Sequence, residues 1–322
     1  MSESSIPVPA VATDEFVPQV ATSPAGRSSV DALAVAAALV SVVLWASAFV
    51  GIRAASADFS AGALALGRLA MGSLALGLLV ATRGLVRPSR RDFVLIVAAG
   101  LLWFAVYNLA LNVAEQNVDA GTTAMLVNVA PVLVAVLAGL FLHEGFPPRL
   151  LGGLAIAFVG AVAIAIATSA APVPGGDPTL GIALCLVAAI AYAAAVTLEK
   201  PALRNVPAIQ LTWMACTVGA LACLPFAPSL VSELGRAQPA GIAWVIYLGL
   251  FPTAIGFTTW AFALHRSSAG GLGSMTYLIP PVAIVMAWLL LGEIPPPLAF
   301  VGGALCIGGV IVARSRGSLR RR

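Results

Sequence analysis

Runs of roughly twenty apolar residues, broken by short polar joints, follow one another along almost the whole chain. They lie at about Ala32 to Ile52, Ala61 to Ala81, Phe93 to Ala114, Ala120 to Leu142, Leu150 to Thr168, Leu180 to Leu198, Ala208 to Phe226, Gly241 to Leu264, Ala269 to Leu291 and Leu298 to Ala313. A helix of that length, rising about 1.5 Å per residue, crosses the roughly 30 Å of hydrocarbon in a bilayer. The pattern therefore predicts an all-α polytopic membrane protein with ten transmembrane helices. No aqueous surface fits it, because 60% of the residues are hydrophobic and only 9% are charged.

The apolar pattern also repeats. Ala120 to Ala163 returns 149 residues later, from Ala269, with thirteen of forty-four positions identical and no gap. Shared alanine and leucine mean little here, but the punctuation coincides too: Pro131 with Pro280, Glu144 with Glu293, Pro147 and Pro148 with Pro296 and Pro297, Gly153 with Gly302, Gly160 with Gly309. The same offset sets Gly100 on Gly249 and Ala105 on Ala254, while an offset of 147 sets Trp45 on Tyr192 and Arg53 on Lys200. Each half holds five helices, an odd number, so the second half must enter the bilayer from the opposite side. Two inverted five-helix repeats are characteristic of secondary transporters, where rocking of the halves exposes one midplane site to each side in turn.

Charge fixes the predicted orientation. With the N-terminus inside, fourteen of the seventeen Lys and Arg residues fall on the cytoplasmic side, leaving only Arg53, Arg68 and Arg236 elsewhere. Both termini are therefore expected in the cytoplasm and the protein in the plasma membrane. The net charge of +4 follows from that bias and does not point to nucleic acid. Residues 1–30 read as a disordered cytoplasmic tail, 31–170 as the first repeat, 171–178 as a linker, 179–314 as the second repeat and 315–322 as a basic tail. Cys185, Cys216, Cys223 and Cys306 lie inside apolar runs without metal-ligand spacing and read as packing residues.

Several of these segments resemble the drug/metabolite transporter superfamily in its two-copy EamA type. They are WASAFVGIR at Trp45 to Arg53, Arg68 in the second helix, the prolines followed by Leu/Gly-rich runs into HE or GE, and the glycine-punctuated helices after them. The resemblance covers about Ala32 to Ala313. It implies ten helices, cytoplasmic termini, and export of small metabolites such as amino acids. It also implies a central cavity lined by helices one, three, four, six, eight and nine. One departure is His143 before Glu144, where the second copy has Gly292.

Candidate chemistry is sparse and therefore informative. Arg68 sits several residues inside an apolar helix, which costs at least about 2.5 kcal/mol at the bilayer centre unless the charge is paired or wetted. It is either a carboxylate anchor for substrate, a clamp on backbone carbonyls or Glu115, or a side chain snorkelling to the interface. Asn108, Asn112 and Glu115 form one polar stripe on the third helix, with Trp103 and Tyr107 on an adjoining face; cavity lining and interhelical bonding are the two readings. Facing it are Thr123 and Asn128 in the fourth helix and Ser274 and Tyr277 in the ninth, with Asn128 and Tyr277 at equivalent repeat positions.

Trp45, Tyr192 and Thr253 complete the expected substrate-binding set, and Trp213 and Trp260 are further aromatic candidates for cavity walls or packing. Pro131, Pro252, Pro280 and Pro281 interrupt helices and are candidate hinges or fixed bends. Glu144 and Glu293 fall on opposite membrane faces and cannot form one acid/base pair; each reads as a turn residue with its carboxylate near the N-terminus of the following helix. The paired glycines seven residues apart allow close helix contact, with a homodimer interface as the second reading. With Lys200 the only lysine and Pro201 behind it, no phosphate-binding loop exists. No metal cluster, cofactor motif or catalytic set appears, so the chain reads as no enzyme, and its partners are a small-molecule substrate and the lipid bilayer. The rival reading on the same scaffold is a lipid flippase, which would need a lateral opening between helices.

Overall fold

The computed structural model describes residues 26–114, 117, 118, 123, 126–168, 175–291 and 296–315. Glu115, Glu293, residues 171–174 of the 171–178 linker, residues 1–25 and 316–322, and most of the first turns of the fourth apolar run lie outside them. The helices are α1 Gly26–Ala55, α2 Ala61–Arg83, α3 Arg90–Ala114, α4 Ala130–Phe141, α5 Pro148–Thr168, α6 Pro178–Ala202, α7 Ala208–Ala222, α8 Pro239–Arg266, α9 from Ala269 to Leu291, and α10 Pro297–Arg314. Among the described residues eight are long and apolar enough to cross a bilayer, and α4 is the described part of the fourth run.

The seventh run differs from its reading as one straight helix to Phe226. Pro225 and Pro228 lack a backbone donor, so α7 stops at Ala222 and a 3₁₀ turn, Leu224–Phe226, leads into a short helix, Ala227–Leu234, bent by 53°. Phe226 and Leu230 of that bend pack over Gly62 and Gly67 of α2. Around the bundle, Leu78, Phe141, Ile166, Leu221, Leu289 and Ile311 stand exposed. An apolar belt of this extent faces lipid rather than water. Inside, the packing residues are mostly alanine with a few large side chains such as Trp260, Tyr277 and Phe104.

The inversion is visible in contacts between repeat-equivalent residues. Cys306 Sγ donates to Ala157 O, and Tyr277 Oη donates to Asn128 O at 2.8 Å; both pairs are 149 residues apart. Cys216 Sγ donates to Leu69 O across a spacing of 147. A residue can touch its own equivalent only beside the axis that relates the copies. The axis therefore passes where α2 crosses α7, α4 crosses α9 and α5 crosses α10.

The α5–α10 crossing shows why its glycines are paired. A Cβ on Gly160 would lie 2.6 Å from Gly302 O, and one on Gly153 would lie 2.5 Å from Gly309 O. Position 153 meets 309 while 160 meets 302, so the helices run antiparallel with backbones in direct contact. This is internal packing, the first of the two readings of that motif. Gly160→Ala or Gly302→Ala is expected to lower stability by about 1–3 kcal/mol through overpacking, read as a fall in the melting temperature of the detergent-solubilised protein. Gly308→Ala, whose Cβ would meet nothing within 4 Å, should leave that temperature unchanged.

Candidate functional site

α3 and α8 are built alike at the bundle centre. Each widens into a π-helical stretch, Gly100–Tyr107 in α3 and Gly249–Ile255 in α8, starting at equivalent glycines. Such segments shift backbone hydrogen bonds and expose carbonyls, and they are frequent at functional sites. In α8 the cause is Pro252, which has no N–H to give. Leu248 O instead receives the Thr253 hydroxyl at 2.8 Å. Gly256 N–H turns to Phe251 O and Thr253 O, and the freed Pro252 O accepts the Trp45 indole N–H at 3.1 Å.

α3 has no proline there, and an amide does the equivalent work. Asn108 Nδ2 donates to both Trp103 O and Phe104 O at 3.0 Å. Asn108 thus commits its donor to its own helix. Pro252 interrupts the hydrogen-bond ladder of α8, and its carbonyl accepts from Trp45. Trp45→Phe leaves that carbonyl without its donor and should cost about 1–3 kcal/mol, measured as a melting shift that Trp260→Phe does not share, because Trp260 Nε1 has no acceptor among the described residues.

These widened turns hold an aromatic chamber. The Trp45 ring lies 4.9 Å from Trp260, 5.1 Å from Phe257 and 6.0 Å from Trp103. Trp103 lies 4.9 Å from Phe257 and 5.1 Å from Tyr192, which is in turn 6.2 Å from Tyr107. Most of the pairs are edge-on or tilted, the favoured geometries for quadrupolar rings. α1, α3, α6 and α8 each contribute. Trp45 and Tyr192, matched by the 147-residue offset, sit in corresponding places: the first bonds Pro252 O, and the second packs on Trp103, the residue aligned with Pro252.

Arg68 borders this chamber. It is 8% exposed, and its Nε donates to Thr253 Oγ1 at 3.2 Å. Thr253 itself is fully buried and stands next to Pro252. Tyr107 and Cys216 lie close enough to feel the guanidinium's charge. Among the described residues no carboxylate comes within salt-bridge range of it. The structure thus fixes one edge of the guanidinium on a hydroxyl and leaves its charge without a described counter-ion.

Other sequence candidates lie elsewhere. Asn112 Nδ2 donates to Ala61 O at the start of α2, an interhelical tie. Ser274 is fully buried and donates to Gly271 O within its own helix. Asn128 and Tyr277 meet each other at the α4–α9 crossing. α9 there is a 3₁₀ stretch, Ser274–Leu278, before Ile279–Leu291 resumes, and α4 resumes at Ala130. Pro131, Pro280 and Pro281 stand in these first resumed turns, where a proline costs no hydrogen bond. Thr123 is buried and its hydroxyl has no described partner.

Trp213 lines an apolar crevice of about 190 Å³ with Phe93, Ile96, Val97 and Val218 on the outer face of α3 and α7, away from the chamber. Phe104 and Phe257 belong to the chamber but were not singled out by the sequence. Their only signal was position, one residue after Trp103 and three before Trp260.

At the arginine-rich end of the bundle, Glu144 caps α9. Its Oε1 accepts Ala269 N–H at 2.7 Å and its Oε2 accepts Gly270 N–H at 3.2 Å. Lys200 Nζ donates to Leu264 O and to Ser267 O and lies 3.9 Å from Glu144. The sequence placed Glu144 near the N-terminus of the helix that follows it; the carboxylate instead caps α9, a helix of the other repeat, because the inverted fold brings Ala269 N–H and Gly270 N–H to it. His143 before it has φ 57°, a left-handed conformation that glycine adopts without penalty.

Comparison with known proteins bears directly on this arrangement of two inverted halves. Residues 32–166 and 179–315 each match the EamA-like transporter family. The chain belongs to that family. A "probable terminal-alkyne amino-acid exporter" of Streptantibioticus cattleyicolor is 38% identical over 90% of this chain and 96% of its own length. The "uncharacterized transporter YdfC" of Bacillus subtilis is 33% identical over 83% of this chain and 86% of its own. A solved crystal structure shares the fold with a TM-score of 0.73, at 19% identity over 89% of this chain and 97% of that one. This family member is a multi-pass membrane transporter and not an enzyme.

Proposed function

We propose that this protein exports amino acids or closely related amphipathic metabolites across the plasma membrane, by alternating access about the dyad between its repeats. The observation that carries the reading is Arg68, a buried cation without a described counter-ion beside a chamber of aromatic rings. A zwitterion with an apolar side chain matches that pair of features, with its carboxylate toward the guanidinium and its side chain among the rings. The amino-acid exporter among the relatives supports the same substrate class. The excess of Lys and Arg that the sequence puts on one side supports a cytoplasmic position for both termini. The flippase alternative is less well served: the described crevice is lined mostly by apolar residues, and the one hydroxyl there, of Thr217, is already bonded to Trp213 O.

The test is efflux from proteoliposomes loaded with radiolabelled amino acids, including L-propargylglycine as a simple terminal-alkyne case. Flux of at least one of them, competed by the others, is the expected outcome. Protein shown to be folded that moves none of them would overturn the amino-acid reading.

A further inference from the structure

One acidic side chain in this structure has no use in the site described above. Glu199, in the last turn of α6, is 4% exposed, and its Oε2 is sealed from solvent with no hydrogen-bond donor. The other acids with described side chains are all engaged. Asp92 accepts from Ser89 and Asn205, Glu144 from α9, Asp177 from the first turn of α6, Asp58 from Gln238 N–H, and Glu233 from Ser60 N–H. An ionised carboxylate sealed in apolar surroundings without a donor carries a large desolvation cost, which the neutral acid avoids.

Among the described residues nothing packed around Glu199 offers a compensating charge; Arg204, in the turn after α6, is exposed. α3 brings Arg90, Arg91, Asp92 and Tyr107. Both arginines are exposed, and Asp92 is bonded to Asn205. α8 brings His265 and Arg266, both exposed, with Arg266 stacked over Phe262. α4 and the first turn of α9 bring no titratable group. On α6 itself, Lys200 is spent on the carbonyls of Leu264 and Ser267, and Cys185 is buried four turns away.

Its place on the helix connects it to the chamber. Glu199 follows Tyr192 by seven residues, two turns or about 10 Å along the same face. Tyr192 is the α6 contribution to the ring cluster, and Lys200 is part of the junction that joins α6, α8 and α9. Glu199 lies between the two on the same helix.

We infer that Glu199 is a proton-binding site that couples substrate export to proton entry. This rests on the transporter reading. With the end of α6 closed, as in this structure, the carboxyl holds a proton. When that end opens to water, the carboxylate is hydrated and the proton leaves to the cytoplasm; another binds from the outer side through the chamber, so one proton enters for each substrate molecule exported. One unit of pH gradient then supports up to about a tenfold concentration ratio of a zwitterionic substrate.

Two measurements on the full-length protein test this. In the first, infrared difference spectra of the purified protein between acid and alkaline pH are expected to show the C=O band of a protonated carboxyl that is lost in Glu199→Gln. Absence of the band from wild type, or its persistence in E199Q, overturns the inference whatever the flux data show. In the second, a pH gradient is imposed on proteoliposomes carrying the amino-acid mixture. Wild-type flux should rise with the gradient, while E199Q should lose that stimulation yet keep amino-acid exchange at zero gradient. Gradient-driven flux in E199Q, or gradient-insensitive wild-type flux, overturns it. A band that disappears in E199Q without flux of any amino acid would support the proton site while removing the amino-acid reading.

Discussion

Arg68→Gln is expected to lower export of amino acids by about 10- to 100-fold while leaving a population of folded protein. The magnitude follows from removing one charge-assisted hydrogen bond to a desolvated carboxylate, worth about 1.5–3 kcal/mol. Direction alone does not separate anchoring from clamping, since Arg68 also donates to Thr253 and so to the widened turn of α8. Substrate selectivity does. If the guanidinium meets the carboxylate, wild type should prefer an amino acid to the amino alcohol of the same side chain, and R68Q should lose that preference by becoming poor with the first and unchanged with the second. Arg68→Lys keeps the charge and should retain part of the flux. Equal losses for both solutes, together with a fall in melting temperature, would make Arg68 a structural clamp and remove the principal support for the carboxylate reading.

Much of the fold was legible because its signals are collective. A run of twenty apolar residues identifies a span regardless of which residues it holds, and an offset of 149 that aligns prolines, glycines and a glutamate survives the divergence of everything between them. The bend after α7 was present in Pro225 and Pro228. It was read as part of one span because hydropathy does not distinguish a straight helix from a bent one.

The site was harder to read, for an identifiable physical reason. In an apolar bundle the polar groups have two competing uses, and the sequence does not say which hydroxyls and amides repair the backbone. Asn108 and Ser274 both donate to carbonyls of their own helices, the first at a π-helical stretch that no proline announces. Asn112 and Tyr277 tie helices together. Trp45, Trp103, Tyr107 and Tyr192 do gather with Arg68 and Thr253 nearby, because they were chosen on helices that the inverted repeat brings to the centre. Glu199 escaped notice for the opposite reason: beside Lys200 at a helix end it looks like half of a solvated pair. Only the fold shows that the lysine turns to α8 and leaves the acid buried.

Replacing Glu144 by Gln is expected to free the first turn of α9, with hydrogen exchange of the Ala269 and Gly270 amides accelerated about 10- to 100-fold. Both carboxylate oxygens accept backbone N–H groups there, and a helix N-terminus favours negative charge. Glutamine retains a single acceptor and presents an NH₂ to the other amide, so one hydrogen bond to a charged group is lost and one donor is left facing a donor, together worth about 1.5–3 kcal/mol. Lys200→Met should act on the same junction from the other side. It removes the ammonium that holds Leu264 O and Ser267 O, where the C-terminal dipole of α8 favours a cation. The two effects should be less than additive in the double variant, because Lys200 and Glu144 lie 3.9 Å apart and share one junction. If the protein works by the proposed alternating access, opening at this end exposes α6 and the chamber behind it, and either variant should raise the fraction of protein accessible from the arginine-rich side. Unchanged amide protection in E144Q would mean that the α8–α9 connection is held by Ser268, whose hydroxyl also accepts from Gly271 N–H, and that the contact between repeats at this end does not control access.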